Sequence, residues 1–143
     1  MKRVTLFCDG SSLGNPGSGG WCGILRYGKY EKIIRGGAEI ATNNQMELTA
    51  LIRGLEALKE PCEVLVVCDS KYVLEGLSQW LPKWEERNFK NVKNLELWQL
   101  YLKVSKPHKI RVEWIKGHSG HTENEICDKI AKEEALKFKN FKD

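Results

Sequence analysis

Two apolar runs in this chain each end in an aspartate, and this pattern constrains the fold more than any other feature. Residues 4–8 alternate in strand fashion and lead into Asp9, whereas residues 64–68 are almost continuously apolar and lead into Asp69. Alternation predicts a strand, and a short continuous apolar run is typical of a central strand buried on both faces. Sites in open α/β sheets lie beyond the C-terminal ends of the parallel strands, so both carboxylates are expected at that edge.

The remaining elements follow from periodicity and turn residues. Residues 21–27 and 31–40 are predicted as a hairpin of strands, and the glycine-rich segment 10–20 as a loop. Helices are predicted from Thr42 to just before Pro61, over 70–81, over 95–104 and from Thr122, with a last strand over 110–115. This order predicts an α/β fold over residues 1–143, one domain with a mixed five-stranded sheet, strands 1–3 antiparallel and strands 4–5 parallel, flanked by helices.

Two further acids lie on predicted helices. Glu47 lies one turn before Leu51, at the N-terminal end of that helix's buried stripe. Asp128 shares a helix face with Ala131 and Ala135, whose small side chains let the helix approach the sheet closely. Carboxylates that converge inside a fold repel one another and lose water, so they need cations. Divalent metal, used for chemistry on a phosphate, is the expected solution.

Basic charge is concentrated in one part of the chain. Residues 83–116 hold nine Lys or Arg against four Glu, although the whole chain carries a formal charge of only +4. Trp80, Trp84 and Trp98 lie in or beside this stretch. Basic charge interleaved with aromatic residues suits a polyanion. A solvated basic surface over core aromatics is the alternative, and charge alone does not separate the two.

Cysteine use and hydropathy bound the cellular setting. The five Cys are odd in number and lack zinc-finger spacing, which favours free thiols in the reducing cytoplasm. No run approaches the roughly 20 apolar residues of a membrane span, so no membrane partner is expected. Nothing in the sequence calls for more than a monomer.

The motifs around these acids resemble, in order and over nearly the whole chain, the type 1, bacterial-type ribonuclease H. The matching segments are DGSSLGNPGSGGWCGIL (9–25), TNNQMEL (42–48), CDSKYV (68–73), the tryptophans and VKN between 79 and 94, and KGHSGHTENEICD (116–128). The resemblance implies an endonuclease that hydrolyses the RNA strand of an RNA–DNA hybrid and leaves 5′-phosphate and 3′-hydroxyl ends.

The resemblance also implies roles for the acids and for one histidine. Asp9, Glu47, Asp69 and Asp128 match the family's four metal-binding carboxylates. They would hold two Mg²⁺ ions, with Mn²⁺ as a possible substitute, and Asp9 would bridge the two. His118 matches the family's loop histidine, which assists water activation or product release.

Substrate contacts are implied in the same way. The RNA strand would be lined by Gly10, Ser11, Ser12, Asn15, Asn43, Asn44 and Gln45, and Thr42 and Asn94 would form a phosphate pocket for the DNA strand. Trp80 and Trp84 are further expected substrate-binding residues. Amide and backbone groups suit recognition of the 2′-hydroxyl, which both donates and accepts hydrogen bonds. Thr42 is also expected to cap its helix, and the Asn pair before that helix also fits simple turn chemistry.

Two features of this chain depart from the family or add to it. Residues 84–92 form a shortened handle whose charge is diluted by Glu85 and Glu86, so weaker hybrid binding is expected. Cys8 and Cys68 each precede a site aspartate, and on neighbouring parallel strands they would lie side by side, opposite the carboxylates. They fit either two small buried apolar residues or an oxidised link.

Two other functional classes stay open on the sequence. An integrase or resolvase catalytic core also clusters acids and metals on such a sheet, although the TNNQMEL and GHSGH motifs argue against it. A non-catalytic hybrid-binding module is the other, although all four acids are present.

Overall fold

Five strands form one mixed sheet in the computed structural model, which describes residues 1–86, 88, 92–116 and 122–142. The strands are β1 Lys2–Leu13, β2 Gly17–Tyr27, β3 Tyr30–Ala41, β4 Cys62–Cys68 and β5 Lys109–Trp114. The helices are α1 Asn43–Glu56, α2 Lys71–Glu75, α3 Leu81–Glu86, α4 Leu95–Ser105 and α5 Thr122–Lys142, with a π-helical turn Gly76–Trp80 between α2 and α3.

The sheet has the order β3-β2-β1-β4-β5, and its pairing confirms the predicted mixed topology. The β1–β2 and β2–β3 pairs are antiparallel, whereas β1–β4 and β4–β5 are parallel. In the β1–β4 register Phe7 lies opposite Val67. Asp9 and Asp69 each lie two residues further along, so the two acids reach the same edge of the sheet.

The glycine-rich segment 10–20 was predicted as a loop, and this prediction is wrong for most of its length. β1 continues to Leu13 and β2 begins at Gly17, which leaves a turn of only three residues. The glycines serve close packing instead. A Cβ on Gly10 would overlap the backbone of α1 at Met46 and Glu47, and one on Gly20 would overlap the backbone of α5.

Apolar side chains cover both faces of the sheet. One cluster packs beneath α1 and α4 and includes Leu6, Leu48, Val66 and the fully buried Trp98. The other packs beneath α5 and consists of Phe7, Cys22, Ile24, Val67, Cys127 and Ile130. Burial of such side chains contributes about 1.5–3 kcal/mol each, so both helical layers are held firmly against the strands that carry the acids.

The helix predicted over 70–81 continues past Pro82 to Glu86. The π-helical turn immediately precedes Pro82, which is the second residue of α3. Inside a continuous helix proline lacks an N–H donor and its ring crowds the preceding turn, and the π-helical turn before Pro82 accommodates both effects. Gly76 begins the π-helical turn, where a Cβ would overlap the ring of Trp98.

None of the helices within the described residues is long and apolar enough to cross a membrane.

Candidate active site

Three carboxylates meet at the edge of the sheet where β1 and β4 end. Asp9, Glu47 and Asp69 each offer one oxygen, and these oxygens all lie within 4.8 Å of one another. Asp9 is only 3% exposed, and its Oδ1 accepts a hydrogen bond from the Gly10 amide at 2.9 Å. Asp9 Oδ2 and Glu47 Oε2 are buried without a hydrogen-bond partner among the described residues. Buried polar oxygens without partners are costly, which makes the cluster a candidate cation site.

Local structure fixes the backbone on both sides of Asp69. Ser70 caps α2, because its Oγ accepts from the Val73 amide at 3.1 Å. On the neighbouring strand, the Trp114 indole donates to the Asp69 carbonyl oxygen at 3.0 Å. The Ile115 amide donates to the Cys68 carbonyl oxygen at 2.9 Å. The Asp69 carboxylate therefore lies on a short connection between β4 and α2 whose backbone is held by hydrogen bonds on both sides.

Glu47 is positioned by the capped start of α1. The predicted capping box is present: the Gln45 amide donates to Thr42 Oγ1 at 3.1 Å, and the Thr42 amide donates to Gln45 Oε1 at 3.0 Å. Thr42 thus has the capping role expected of it. The box sets where the helix begins, and so which residues of the second turn face the sheet.

Asp128 lies on α5 and joins the cluster through its charge. It is not one of the three acids within 4.8 Å, but its repulsion contributes to the raised pKa of Asp9. Its Oδ2 forms an ion pair with Lys132 Nζ at 2.9 Å. The predicted close approach of α5 to the sheet is confirmed, because Gly20 lies against Ala131 and Ala135.

Ion pairs to the sheet also hold α5 in place. Arg35 on β3 binds Glu134 at 2.5 Å and Glu133 at 2.8 Å, and Glu134 is almost fully buried. Arg26 on β2 binds Glu123 at 2.8 Å. These contacts lie on both sides of Asp128 along α5, so they restrict the position from which its carboxylate approaches Asp9.

The electrostatics of the cluster favour a cation. The pKa of Asp9 is raised to about 8, first by burial and then by repulsion from Asp69 and Asp128, against the opposing effect of hydrogen bonds with the Glu47 side chain and the Gly10 amide. Burial also raises the pKa of Glu47, as does repulsion by Asp9 and Asp69. Carboxylate oxygens such as Asp9 Oδ2 and Glu47 Oε2, which have no hydrogen-bond partner among the described residues, are the hard ligands that divalent ions such as Mg²⁺ prefer. The residues present therefore fit a metal.

The predicted contact between Cys8 and Cys68 is observed directly below this cluster. A hydrogen bond between the two thiols raises the pKa of Cys8 and lowers that of Cys68. Both are buried and free, as are the other three cysteines. Both thiols pack in the cluster beneath α1, which also carries Glu47. The expectation that they lie opposite the acids therefore holds for Asp9 and Asp69 but not for Glu47.

Most of the predicted substrate-contacting residues lie beside the acids. Ser12 Oγ donates to the Ala41 carbonyl oxygen at 2.8 Å and to that of Gly14. Asn15 Oδ1 accepts from the Asn43 amide at 3.1 Å, which ties the β1–β2 turn to the start of α1. Ser11 is half-buried on β1, and Asn44 is exposed on α1. Gly10 packs on α1, so this edge forms one surface around Asp9.

The predicted substrate-binding residues Trp80, Trp84 and Asn94 lie in or beside an aromatic cluster. Trp80 and Trp84 have ring centroids 5.8 Å apart and are half-buried. Trp84 packs edge-on against Trp98 at 5.4 Å. Asn94 Oδ1 accepts from Gln45 Nε2 at 3.2 Å, which links the start of α4 to that of α1. The tryptophans therefore have a packing role as well as partial exposure.

Two predictions fall wholly or partly outside the described residues. His118 lies there, so its proposed catalytic role is not tested by geometry. Much of the shortened handle, including Arg87 and Lys90, also lies there.

Sequence reasoning missed two residues beside the site. Lys132 pairs with Asp128 from one turn further along α5, a spacing that the sequence could have indicated. The hydroxyl of Tyr72 bonds the side chain of Asn94 at 3.0 Å, and no local pattern indicates that contact.

Comparison with known proteins identifies the family. The family model described as RNase H matches residues 1–136. A ribonuclease H of Campylobacter concisus (strain 13826) is 61% identical over 140 residues, which cover 98% of this chain and 97% of that protein. LC9-RNase H1, described as a type 1 RNase H with the type 2 active-site motif, aligns with a TM-score of 0.87 at 27% identity, over 94% of this chain and 72% of that one.

A second solved structure shares the fold at lower identity. LC11-RNase H1 in complex with an RNA/DNA hybrid aligns with a TM-score of 0.69 at 21% identity, covering 94% of this chain and 97% of that one. With the acidic cluster at the joined strand ends, these matches show that the chain belongs to the type 1 ribonuclease H family, nucleases that cleave the RNA of RNA–DNA hybrids.

Proposed function

We propose that residues 1–143 form a single catalytic domain that hydrolyses the RNA strand of RNA–DNA hybrids and leaves 5′-phosphate and 3′-hydroxyl ends. The observation that carries this proposal is the cluster of Asp9, Glu47 and Asp69, with two buried oxygens that lack partners. The LC11-RNase H1 structure, in complex with an RNA/DNA hybrid, supports the substrate class.

The acids would hold two divalent ions, Mg²⁺ or in its place Mn²⁺. When bound, such a pair supplies a water of lowered pKa and neutralises charge on the phosphate and on the leaving oxygen. Asp9 interacts electrostatically with the other three acids, which suits a shared ligand. Glu47 interacts with Asp9 and Asp69, which suits one ion, and Asp128 with Asp9 suits the other.

The surface around the acids would orient the RNA strand. The glycine-bearing end of β1, from Gly10 to Ser12, offers backbone groups beside Asp9. Asn15, Asn43 and Asn44 offer amides that can both donate to and accept from a 2′-hydroxyl. The Asn15–Asn43 hydrogen bond keeps these groups in one place before substrate arrives. Preorganised contacts of this kind lower the cost of ordering the site on binding.

The DNA strand would pass beside α4 and the tryptophans. Thr42 and Asn94 would contact one of its phosphates, and Trp80 and Trp84 would contact it through their exposed edges. His118 would assist the activation of water or the release of product. The five free, buried cysteines support a reducing cytoplasmic setting, and we propose that the protein acts there as a monomer.

The test is cleavage of a labelled RNA–DNA hybrid with Mg²⁺ and with EDTA, beside duplex RNA and duplex DNA. Only the hybrid should be cut, only with metal, and kinase labelling of the products should require prior phosphatase treatment. Asp9→Asn should lower kcat by about 10³-fold or more, because metal catalysis supplies several kcal/mol. Hybrid affinity measured in Ca²⁺ should change little.

Glu39→Gln is the matched control, because it converts an exposed carboxylate on β3, outside the acidic cluster, to an amide. Its turnover should match the unmodified protein. Undiminished turnover in Asp9→Asn would refute the metal assignment, and cutting of duplex DNA would favour a different nuclease class.

A further inference from the structure

A chain of side-chain hydrogen bonds joins the aromatic cluster to the start of α1. Trp98 Nε1 and Asn94 Nδ2 both donate to Tyr72 Oη, at 2.8 and 3.0 Å. Gln45 Nε2 donates to Asn94 Oδ1 at 3.2 Å, and the Thr42 backbone amide donates to Gln45 Oε1 at 3.0 Å. We call this chain of five residues the amide relay.

The two ends of the amide relay fix its direction. An indole N–H and a backbone N–H can only donate. The Thr42 amide therefore requires the oxygen of Gln45, which turns the Gln45 nitrogen to Asn94 and the Asn94 nitrogen to Tyr72. Neither amide side chain can flip without placing two donors or two acceptors against each other, so both orientations follow from the neighbouring groups.

This direction determines which hydrogen-bonding groups the relay leaves unused. The Gln45 and Asn94 nitrogens each keep a second N–H, and the Tyr72 hydroxyl keeps its proton because it accepts twice in the relay. Each amide oxygen uses one of its two lone pairs in the relay, so the free N–H of Gln45 and the free N–H of Asn94 are the relay's added donors at this point. Two neighbouring N–H donors suit an anion such as a phosphate.

A cavity of about 360 Å³ lies at this point, lined by Gln45, Asn94, Leu95, Glu96 and Leu97. Asn94 adopts the left-handed conformation (φ 57°), and its side chain does not cap α4. The side chain is held instead by the relay, beside the N-terminal end of α4. Glu96 is exposed, so solvent screens its charge.

We propose that Tyr72 is a positioning residue: through the amide relay it holds the Asn94 and Gln45 amides as a preformed donor set for a nucleic-acid phosphate. The inference rests on the proposed function, in which Asn94 and Thr42 contact the DNA strand. It adds that the Tyr72 hydroxyl raises the affinity of this contact by holding Asn94 in place, without itself contacting the substrate.

Tyr72→Phe tests the proposal because it removes only the oxygen and keeps the ring packing on Trp80 and Trp98. We expect KM and the hybrid Kd in Ca²⁺ to rise about two- to tenfold, the range for one hydrogen bond, with kcat within about twofold. Tyr101→Phe is the matched control, since Tyr101 is buried against Trp98 but lies outside the relay. It should leave KM unchanged.

A double-mutant cycle with Asn94→Ala separates positioning from packing. If Tyr72 acts through Asn94, Tyr72→Phe adds less than about twofold in the Asn94→Ala background. Full additivity, no effect of Tyr72→Phe, or an equal effect of Tyr101→Phe overturns the relay. Normal hybrid affinity in Asn94→Ala also overturns it, whereas absence of hybrid cleavage by the unmodified protein refutes the proposed function instead.

Thermal melting of each variant shows whether it folds. If Tyr72→Phe does not fold, Gln45→Glu breaks the relay from its other end, because a carboxylate still accepts from Thr42 but cannot donate to Asn94. It should raise the hybrid Kd by at least as much as predicted for Tyr72→Phe, and unchanged Kd would overturn the proposal.

Discussion

Asp9→Asn is expected to stabilise the metal-free protein while it removes activity. The pKa of Asp9 is about 8, against an ordinary value of 3.8. The folded protein therefore holds an extra proton between these values, and the stability linked to that proton is complete below about pH 4 and disappears as the pH rises through 8.

The expected magnitude follows from linkage at about 1.36 kcal/mol per pH unit. Because the unfolded state releases the Asp9 proton while the folded protein keeps it, the folded protein loses about 2 kcal/mol of stability by pH 5 and about 4 kcal/mol by pH 7. Asn avoids this cost but buries an amide that is incompletely bonded, at about 1–3 kcal/mol. A net gain of about 1–3 kcal/mol at pH 7 is expected, and the gain should increase by about 3 kcal/mol between pH 5 and 7.

Urea denaturation in EDTA at pH 5, 6, 7 and 8 measures this gain as a difference in the free energy of unfolding. Glu39→Gln controls for the loss of a carboxylate and should show no such pH trend. Added Mg²⁺ should stabilise the unmodified protein more than Asp9→Asn, because metal binds the folded state. A stability difference that stays constant from pH 5 to 8 would refute the reasoning, since the raised pKa of Asp9 and its interaction with Glu47 both require a slope.

Two further substitutions test other parts of the site. Lys132→Met should raise the affinity for Mg²⁺, measured by calorimetry, about two- to fivefold, because Asp128 no longer has to break an ion pair to bind metal. Lys129→Met, at an exposed lysine on the same helix, is the control. An equal gain in that variant would show that net charge alone explains the effect. Gly20→Ala should lower the free energy of unfolding by about 3 kcal/mol or more, because its Cβ would overlap the backbone of α5. Gly28→Ala, where a Cβ meets nothing within 4 Å but φ is +56°, should cost only about 1–2 kcal/mol, and similar losses at the two glycines would contradict the packing argument.

Local chemistry made much of the site predictable. The apolar run before Asp69 predicts a strand, and the T-x-x-Q spacing at Thr42 and Gln45 predicts a capping box. Each depends on only a few neighbouring residues, and both structures are present. Glu47 and Asp128 were placed from helical periodicity, which depends on 3.6 residues per turn and little else. The mixed topology, with strands 1–3 antiparallel and strands 4–5 parallel, followed from the order of strands and helices, and the observed pairing confirms it.

The wrong predictions arose where distant contacts decide the outcome. Gly10 and Gly20 lie in a glycine-rich segment that is typical of a loop. Their lack of a side chain instead lets the strands pack closely against helices more than 30 residues away in sequence. Pro82 was expected to end a helix, but the preceding π-helical turn accommodates it. The Tyr72–Asn94 bond depends on how two helices pack, which short-range patterns do not encode.

The buried cysteines can report local unfolding around the acids through their reactivity. Cys8, Cys68 and Cys127 each directly precede one of the acids, on two different strands and one helix. All three are almost completely inaccessible in the folded state. An alkylating reagent can therefore reach Cys8 and Cys68 only when the α1 layer opens, and Cys127 only when α5 separates from the sheet. The order of labelling would rank how readily these two layers leave the strands that carry Asp9 and Asp69, with only thiols that the chain already has.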